Sequence, residues 1–304
     1  MKRSAFTLVE LLVVTVIIAL LAAILITAVG AAREAARRGQ CVSRQRDLAH
    51  AMIAYSTANN GLPGYLNQLG ATPIHSWAVA VMPNIGETKR YEALMRGEQT
   101  AQATASLPAL ICPSDNPREN SRLNYVVNCG PSAGTQNITG EIALYFTLFK
   151  DRRSNLITPS NIISKKVPIE EIPDGVSNTI LLSENVNAGV WYHEEWNVFA
   201  LRNQLPVSDN QLPVSYKDTR SLVAVENLGF VWELRSDFLP NSPAVVPRPS
   251  SKHPGTVVVA YADGKAEAIN DDIAANVWVR LVCPDDAQAR LSVVPDEGLG
   301  FTEL

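Results

Sequence analysis

Charge is scarce in this 304-residue chain: Asp, Glu, Lys and Arg together make up 18% of it, and the net charge is −4. No basic domain stands out, which argues against a general nucleic-acid binder. Cysteine and histidine are scarcer still, at four residues each. Cys41, Cys112, Cys129 and Cys283 form no CxxC pair and the histidines are as scattered, so a structural zinc site is not expected from the spacing. HExxH is absent too. The one histidine–carboxylate cluster, His193-Glu194-Glu195 in "GVWYHEEW", consists of adjacent residues, which a strand would turn to opposite faces. No catalytic residue and no bound metal are expected there, and none stands out elsewhere.

Residues 11–32 lack charge altogether, a run of about 22 residues, long enough for a helix to cross a bilayer. Proline is missing from residue 6 to residue 57, although the chain has 19 prolines, and only Gly30 and Gly39 interrupt that stretch. A cleaved secretory signal would have a hydrophobic core of only about 7–15 residues before a small-residue cut site. Here the apolar run is longer and continues into "AAREAARRGQCVSRQRDLAHAMIAYST", where Leu48, Met52 and Tyr55 return at helical spacing. One helix over residues 6–58 is therefore expected, about 75–80 Å long at 1.5 Å per residue. Its first part, about residues 8–32, would span a membrane and its second part would pack on the rest of the chain. Flanking charge does not orient it: Lys2 and Arg3 precede the span, but Arg33, Arg37, Arg38, Arg44 and Arg46 come after it.

Glu10 is the exception inside the greasy run, and an ionised carboxylate in hydrocarbon is a costly placement that marks function. Lys2-Arg3-Ser4-Ala5 followed by Phe6-Thr7-Leu8-Val9-Glu10 and a long apolar helix resembles the start of type IV prepilins and type II secretion pseudopilins. The resemblance implies residues 1–5 as a cytoplasmic leader, a cut by prepilin peptidase between Ala5 and Phe6, and methylation of the new amine. It implies Glu10 as the group that sets assembly register, by meeting the Phe6 amine of a neighbouring subunit. Ala5 stands where those proteins usually have glycine. More specifically, "AAREAARRGQC", "LICPSDNPREN", "EIPDGVSNTILLSE" and His253 with nine residues before Asp263-Gly264 resemble the landmarks of pilin-like proteins with a DUF1559 head. Cys283 departs from that pattern.

After Asn59 the texture changes to Gly/Pro/Asn-rich loops, and residues 59–304 are expected to form an α+β head. The implied architecture is pilin-like, a long helix against an antiparallel sheet. "IGETKRYEALM" reads as a short helix and "LPALICPSDNP" as a buried element entering a tight loop. "RLNYVVNCG" and Ile180-Leu181-Leu182 read as strands. Residues 256–261 and the segment returning to Ile269 form a hairpin, joined by a two-residue Asp263-Gly264 turn that His253 caps or bridges. "IAANVWVRLVCP" is a last helix or strand, and the repeat in "NQLPVSDNQLPVSYKD" is a small surface duplication. If the chain leaves the cytosol, four cysteines allow two disulfides in three pairings, with Cys112–Cys129 the most local; four separate small hydrophobes are the alternative.

The sequence therefore points to a structural protein, not an enzyme. A pilin-like subunit would be a single-pass inner-membrane protein with its head on the periplasmic side, later part of a filament. Its partners would be the bilayer, prepilin peptidase, the inner-membrane assembly platform, and copies of itself or other pilin-like subunits. A pseudopilin of a secretion machine shares the same N-terminus. A tethered binding or enzymatic head would instead need a cleft, with Trp191 and Trp196 the nearest candidates. No cofactor is expected. Calcium at Asp263 is raised only by its occurrence in some pseudopilin heads, and would need several converging oxygens.

Overall fold

The computed structural model describes residues 8–68, 72–115, 122–128, 148–149, 151–152, 166–186, 188–192, 198–199, 249–273, 275–282 and 284–285. Its first element, α1 (Leu8–Asn59), is a continuous helix. Asn60 (φ 54°) then turns left-handed, and the Gly61 amide donates back to the Ser56 carbonyl at 2.9 Å. That is the Schellman way of ending a helix, with Asn and Gly at the positions that tolerate it.

The two halves of α1 meet different surroundings. From Leu8 to Val29 the large apolar side chains are exposed, among them Leu20 at 62% and Ile24 at 68%. From Glu34 onward a stripe turns inward through Arg38, Cys41, Gln45, Leu48 and Met52, spaced alternately four and three. This spacing keeps one helix face on a partner surface. The partner is a five-stranded sheet of β3 (Tyr125–Asn128), β5 (Ile180–Glu184), β6 (Val198–Phe199), β7 (Thr256–Tyr261) and β8 (Ala266–Asn270), in the order β6-β3-β5-β7-β8. The helix lies over β5, β7 and β8. All pairings in this sheet are antiparallel except β3 with β6, which run parallel. Every residue of β7 is buried, as suits a strand covered on both faces.

A second, small sheet joins β1 (Leu66–Asn67), β2 (His75–Ser76) and β4 (Asp151–Arg152), with β1–β2 antiparallel and β1–β4 parallel. Short helices α2 (Trp77–Ala80) and α3 (Thr88–Met95) come after β2, and α4 (Ala275–Val282) after β8. Trp77, Trp191, Trp278, Tyr125 and Phe149 fill the core. Trp191 thus packs in the interior, edge-on to Tyr192 at 5.1 Å, rather than lining a cleft. Trp196, the cluster His193-Glu194-Glu195 and the repeat at residues 203–215 lie outside the described residues.

The terminal hairpin matches the expected strands but not the expected turn. Tyr261 and Lys265 close it, the Gly264 amide donates to the Tyr261 carbonyl at 3.0 Å, and only Gly264 (φ 90°) is left-handed. This is a three-residue loop of type I with a glycine bulge, because Asp263 stays at negative φ and its carboxylate accepts the Lys265 amide at 2.8 Å. Gly264 sits directly under α1: a Cβ there would lie 2.5 Å from the His50 ring.

Candidate functional site

Among the described residues two regions carry chemistry: the exposed apolar half of α1 and a polar knot where the other half meets the sheet. The first is a helix segment long and apolar enough to cross a membrane, with none of its most apolar stretch buried against the head. Glu10 lies in its first turn. Ala5 and Phe6 lie outside the described residues.

The second is built from four separate stretches. Glu34 and Cys41, two helical turns apart, share the inward face of α1. Cys112 sits in the tight loop after a 3-10 turn at Pro108–Leu110. Asn124 fixes that loop by accepting the Cys112 amide at 2.9 Å on its side chain and donating its own amide to the Leu110 carbonyl at 2.8 Å. Glu184 ends the central strand β5, and His253 lies in the loop before β7, where Ser251 Oγ accepts its amide at 3.0 Å. Cys41, Cys112, Glu184 and His253 are all buried, and their ligand-type atoms lie within 4.8 Å of one another.

The contacts within this knot are dense. The Cys41 thiol donates to Glu184 Oε1 at 2.7 Å and touches the Tyr125 hydroxyl at 3.2 Å. His253 Nε2 lies 3.2 Å from Cys112 Sγ and 3.5 Å from Glu184 Oε1. On the other side of the ring, Nδ1 meets Glu34 Oε1 at 2.6 Å. Glu34 is held in turn by Arg37 at 2.7 Å and by the Ser114 hydroxyl at 2.9 Å. Glu184 Oε2 accepts the Val258 amide at 2.9 Å, while the Gln45 carboxamide donates to the Val258 carbonyl at 2.8 Å. Two side chains thereby satisfy backbone groups in the sheet interior that would be costly to leave unmade.

Burial and mutual contact set the protons. Burial pushes the Cys41 thiol far up, reinforced by its contacts with Cys112 and Glu184, so it stays neutral. Its interaction with the neighbouring Cys41 pulls the Cys112 thiol down against the effect of burial, and His253 adds to the pull. Burial raises Glu184 to about 8, with the Cys112 charge in support. Burial opposes a charge on His253, but the bond to Cys112 and the negative charges of Glu184 and Cys112 outweigh it, to about 9. Glu34 feels burial in the upward direction, yet the bonds from His253, Arg37 and Ser114 hold its carboxyl below the ordinary range. The directions together favour charge on Cys112 and His253 over charge on Cys41 and Glu184.

Over residues 30–276 the sequence matches the family described as "Protein of unknown function (DUF1559)", and over residues 1–26 the "Prokaryotic N-terminal methylation motif". The chain belongs to the DUF1559 family. With the methylation motif it is a type IV pilin-like protein of the kind that prepilin peptidase processes, and its apolar first helix fits a membrane anchor. No curated protein and no solved structure matches it.

The DUF1559 landmarks picked out along the sequence come together in the fold. "AAREAARRGQC" contributes Glu34 and Cys41, "LICPSDNPREN" Cys112 and Ser114, "EIPDGVSNTILLSE" Glu184, and the terminal signature His253. His253 does not bridge its hairpin as expected; its ring points to α1 and the Cys112 loop, because the chain enters β7 beneath the helix. Asp263 and Gly264 stay at the turn. Cys112 carries a free thiol beside Cys41, and Cys129 and Cys283 lie outside the described residues. Sequence spacing misses Glu34, Glu184 and Tyr125 as members of the site. The one signal for the two carboxyls is a charged residue on an otherwise inward-facing stripe or at the end of a buried strand.

Proposed function

We propose that this DUF1559 chain is a structural subunit, without catalysis of its own, of a type IV pilus-like filament. Prepilin peptidase cuts between Ala5 and Phe6 and the new amine is methylated. The apolar half of α1 holds the mature chain in the inner membrane with the head on the periplasmic side. An assembly platform then extracts it, and the helix packs among those of other subunits, where small residues such as Ala19, Ala22, Ala23 and Ala28 allow close approach. Glu10 meets the Phe6 amine of a neighbour, so that misaligned helices would leave a charge unpaired in a low-dielectric bundle.

The observation that supports this reading most is the bare apolar half of α1. Apolar side chains from Leu8 to Val29 are exposed on a helix whose other half is anchored to the sheet. A surface of that size needs lipid or protein to cover it. Mass spectrometry of the mature chain, with electron microscopy of sheared surface material, tests it. A methylated N-terminus at Phe6 and filaments containing the chain are expected. A chain that keeps Met1 overturns the reading, and a processed chain confined to the envelope favours a secretion pseudopilin.

A further inference from the structure

We propose that Cys41, Cys112, Glu184 and His253 form a binding site for one borderline-soft divalent cation of the zinc type, which staples α1 to the sheet. Two sulfurs, one imidazole nitrogen and one carboxylate oxygen are a four-donor set, and all four atoms lie within 4.8 Å of one another in the interior. With Zn–S near 2.3 Å and Zn–N or Zn–O near 2.0–2.1 Å, the donor–donor edges of a tetrahedron run from about 3.3 to 3.8 Å. The Cys112 Sγ–His253 Nε2 and His253 Nε2–Glu184 Oε1 separations, 3.2 and 3.5 Å, sit close to that range. The Cys41 Sγ–Glu184 Oε1 contact, at 2.7 Å, must open on binding.

The surroundings of the four donors are also those of a metal site. Ligating histidines usually give their second ring N–H to a carboxylate, which fixes ring orientation and tautomer. Glu34 occupies that position on His253 Nδ1, and is itself held by Ser114 and Arg37. Glu184 keeps Oε2 on the Val258 amide and has Oε1 facing the cluster. Tyr125 stands beside Cys41 Sγ. The donor chemistry selects the cation: calcium wants six to eight oxygens and magnesium an octahedron of oxygens, whereas thiolates with imidazole suit zinc and its soft neighbours. The donors come from α1, the Cys112 loop, the end of β5 and the loop before β7. One cation would thus tie the helix to the Cys112 loop, to β5 and to the approach to β7, and its binding would be coupled to folding of the head.

The test uses the full chain in detergent, purified with its thiols reduced and supplied with zinc. About one zinc per chain by elemental analysis is expected, together with the ligand-field spectrum of a thiolate-bound tetrahedral centre when cobalt replaces it. Chelation should lower the melting temperature of the head, and zinc should restore it. Cys112→Ser should weaken cobalt binding and cut the cobalt–thiolate band to about half, and the Cys41→Ser, Cys112→Ser double variant should lose it. Glu34→Gln, which touches no metal, should weaken zinc binding about 10–100-fold while keeping the band. Zinc-free protein in which Cys41 and Cys112 are both reduced overturns the site. So does a Cys41–Cys112 disulfide that excludes metal, or zinc retained in full by a Cys41→Ser, Cys112→Ser double variant. The outcome is independent of whether the chain builds filaments.

Discussion

The two halves of α1 make the most instructive contrast in the molecule. They share one uninterrupted helix, yet the first half presents apolar side chains all round and the second only a narrow inward stripe. A helix apolar on every side needs an apolar environment on every side, whereas a striped helix needs one partner surface. The stripe is not simply hydrophobic either: Glu34, Cys41 and Gln45 alternate into it before Leu48 and Met52 take over. Polar anchoring therefore lies next to the exposed span, and ordinary core packing lies farther along.

Glu10→Ala cuts most deeply into this contrast. Under the proposed function it should abolish filament assembly, scored as sheared filaments, while the head melts as in the parent. A coupled loss of head stability would mean that the two halves are not separable. Next in size is a matched pair of truncations. Met52→Ala removes a fully buried side chain and should cost about 2–5 kcal/mol of head stability in denaturant unfolding. Leu20→Ala, at a position 62% exposed, should stay within about 0.5 kcal/mol in the same assay. Equal costs would contradict the division of the helix.

Legibility splits along the same divide. The apolar half of α1 can be read directly, because it depends on composition and length alone. The strands of the terminal hairpin and Ile180–Glu184 are legible for a similar reason, as short apolar runs between turn residues. The polar knot is not. Cys41 and Cys112 are far apart in the chain, as are Glu184 and His253, and no local spacing says that α1 crosses the sheet where β5 ends. The turn type also escapes. Asp-Gly fits both a two-residue turn and a type I loop with a glycine bulge, and only the backbone at Asp263 separates them.

Gly264 tests how closely the packed half of the helix sits on the hairpin. Gly264→Ala must adopt a left-handed backbone and place its Cβ against the His50 ring, so a loss of about 1–3 kcal/mol is expected. In a His50→Ala background the contact disappears and only the backbone cost, about 1 kcal/mol, should remain. Unfolding curves of the four proteins close the cycle. Identical losses in both backgrounds would show that His50 swings aside freely and that the turn does not bear on α1.

The smallest effect lies away from the helix, at His75 on β2. Burial lowers its pKa from the ordinary 6.5, only partly offset by the contact of Nδ1 with the Pro73 carbonyl at 2.9 Å. The folded chain therefore holds this imidazole neutral at a pH where the unfolded chain already binds a proton. Since the unfolded state binds more protons at this site, the contribution of His75 to stability rises with pH through this window and falls as pH drops below about 6.5. One site limits the slope to about 1.4 kcal/mol per pH unit. His75→Asn keeps a polar group of similar reach without the titration, and the difference between its pH–stability profile and the parent's isolates this residue from the His253 cluster. The two profiles should run parallel above about pH 7 and approach one another below it. A constant offset across the whole range would place the proton of His75 outside the folding balance.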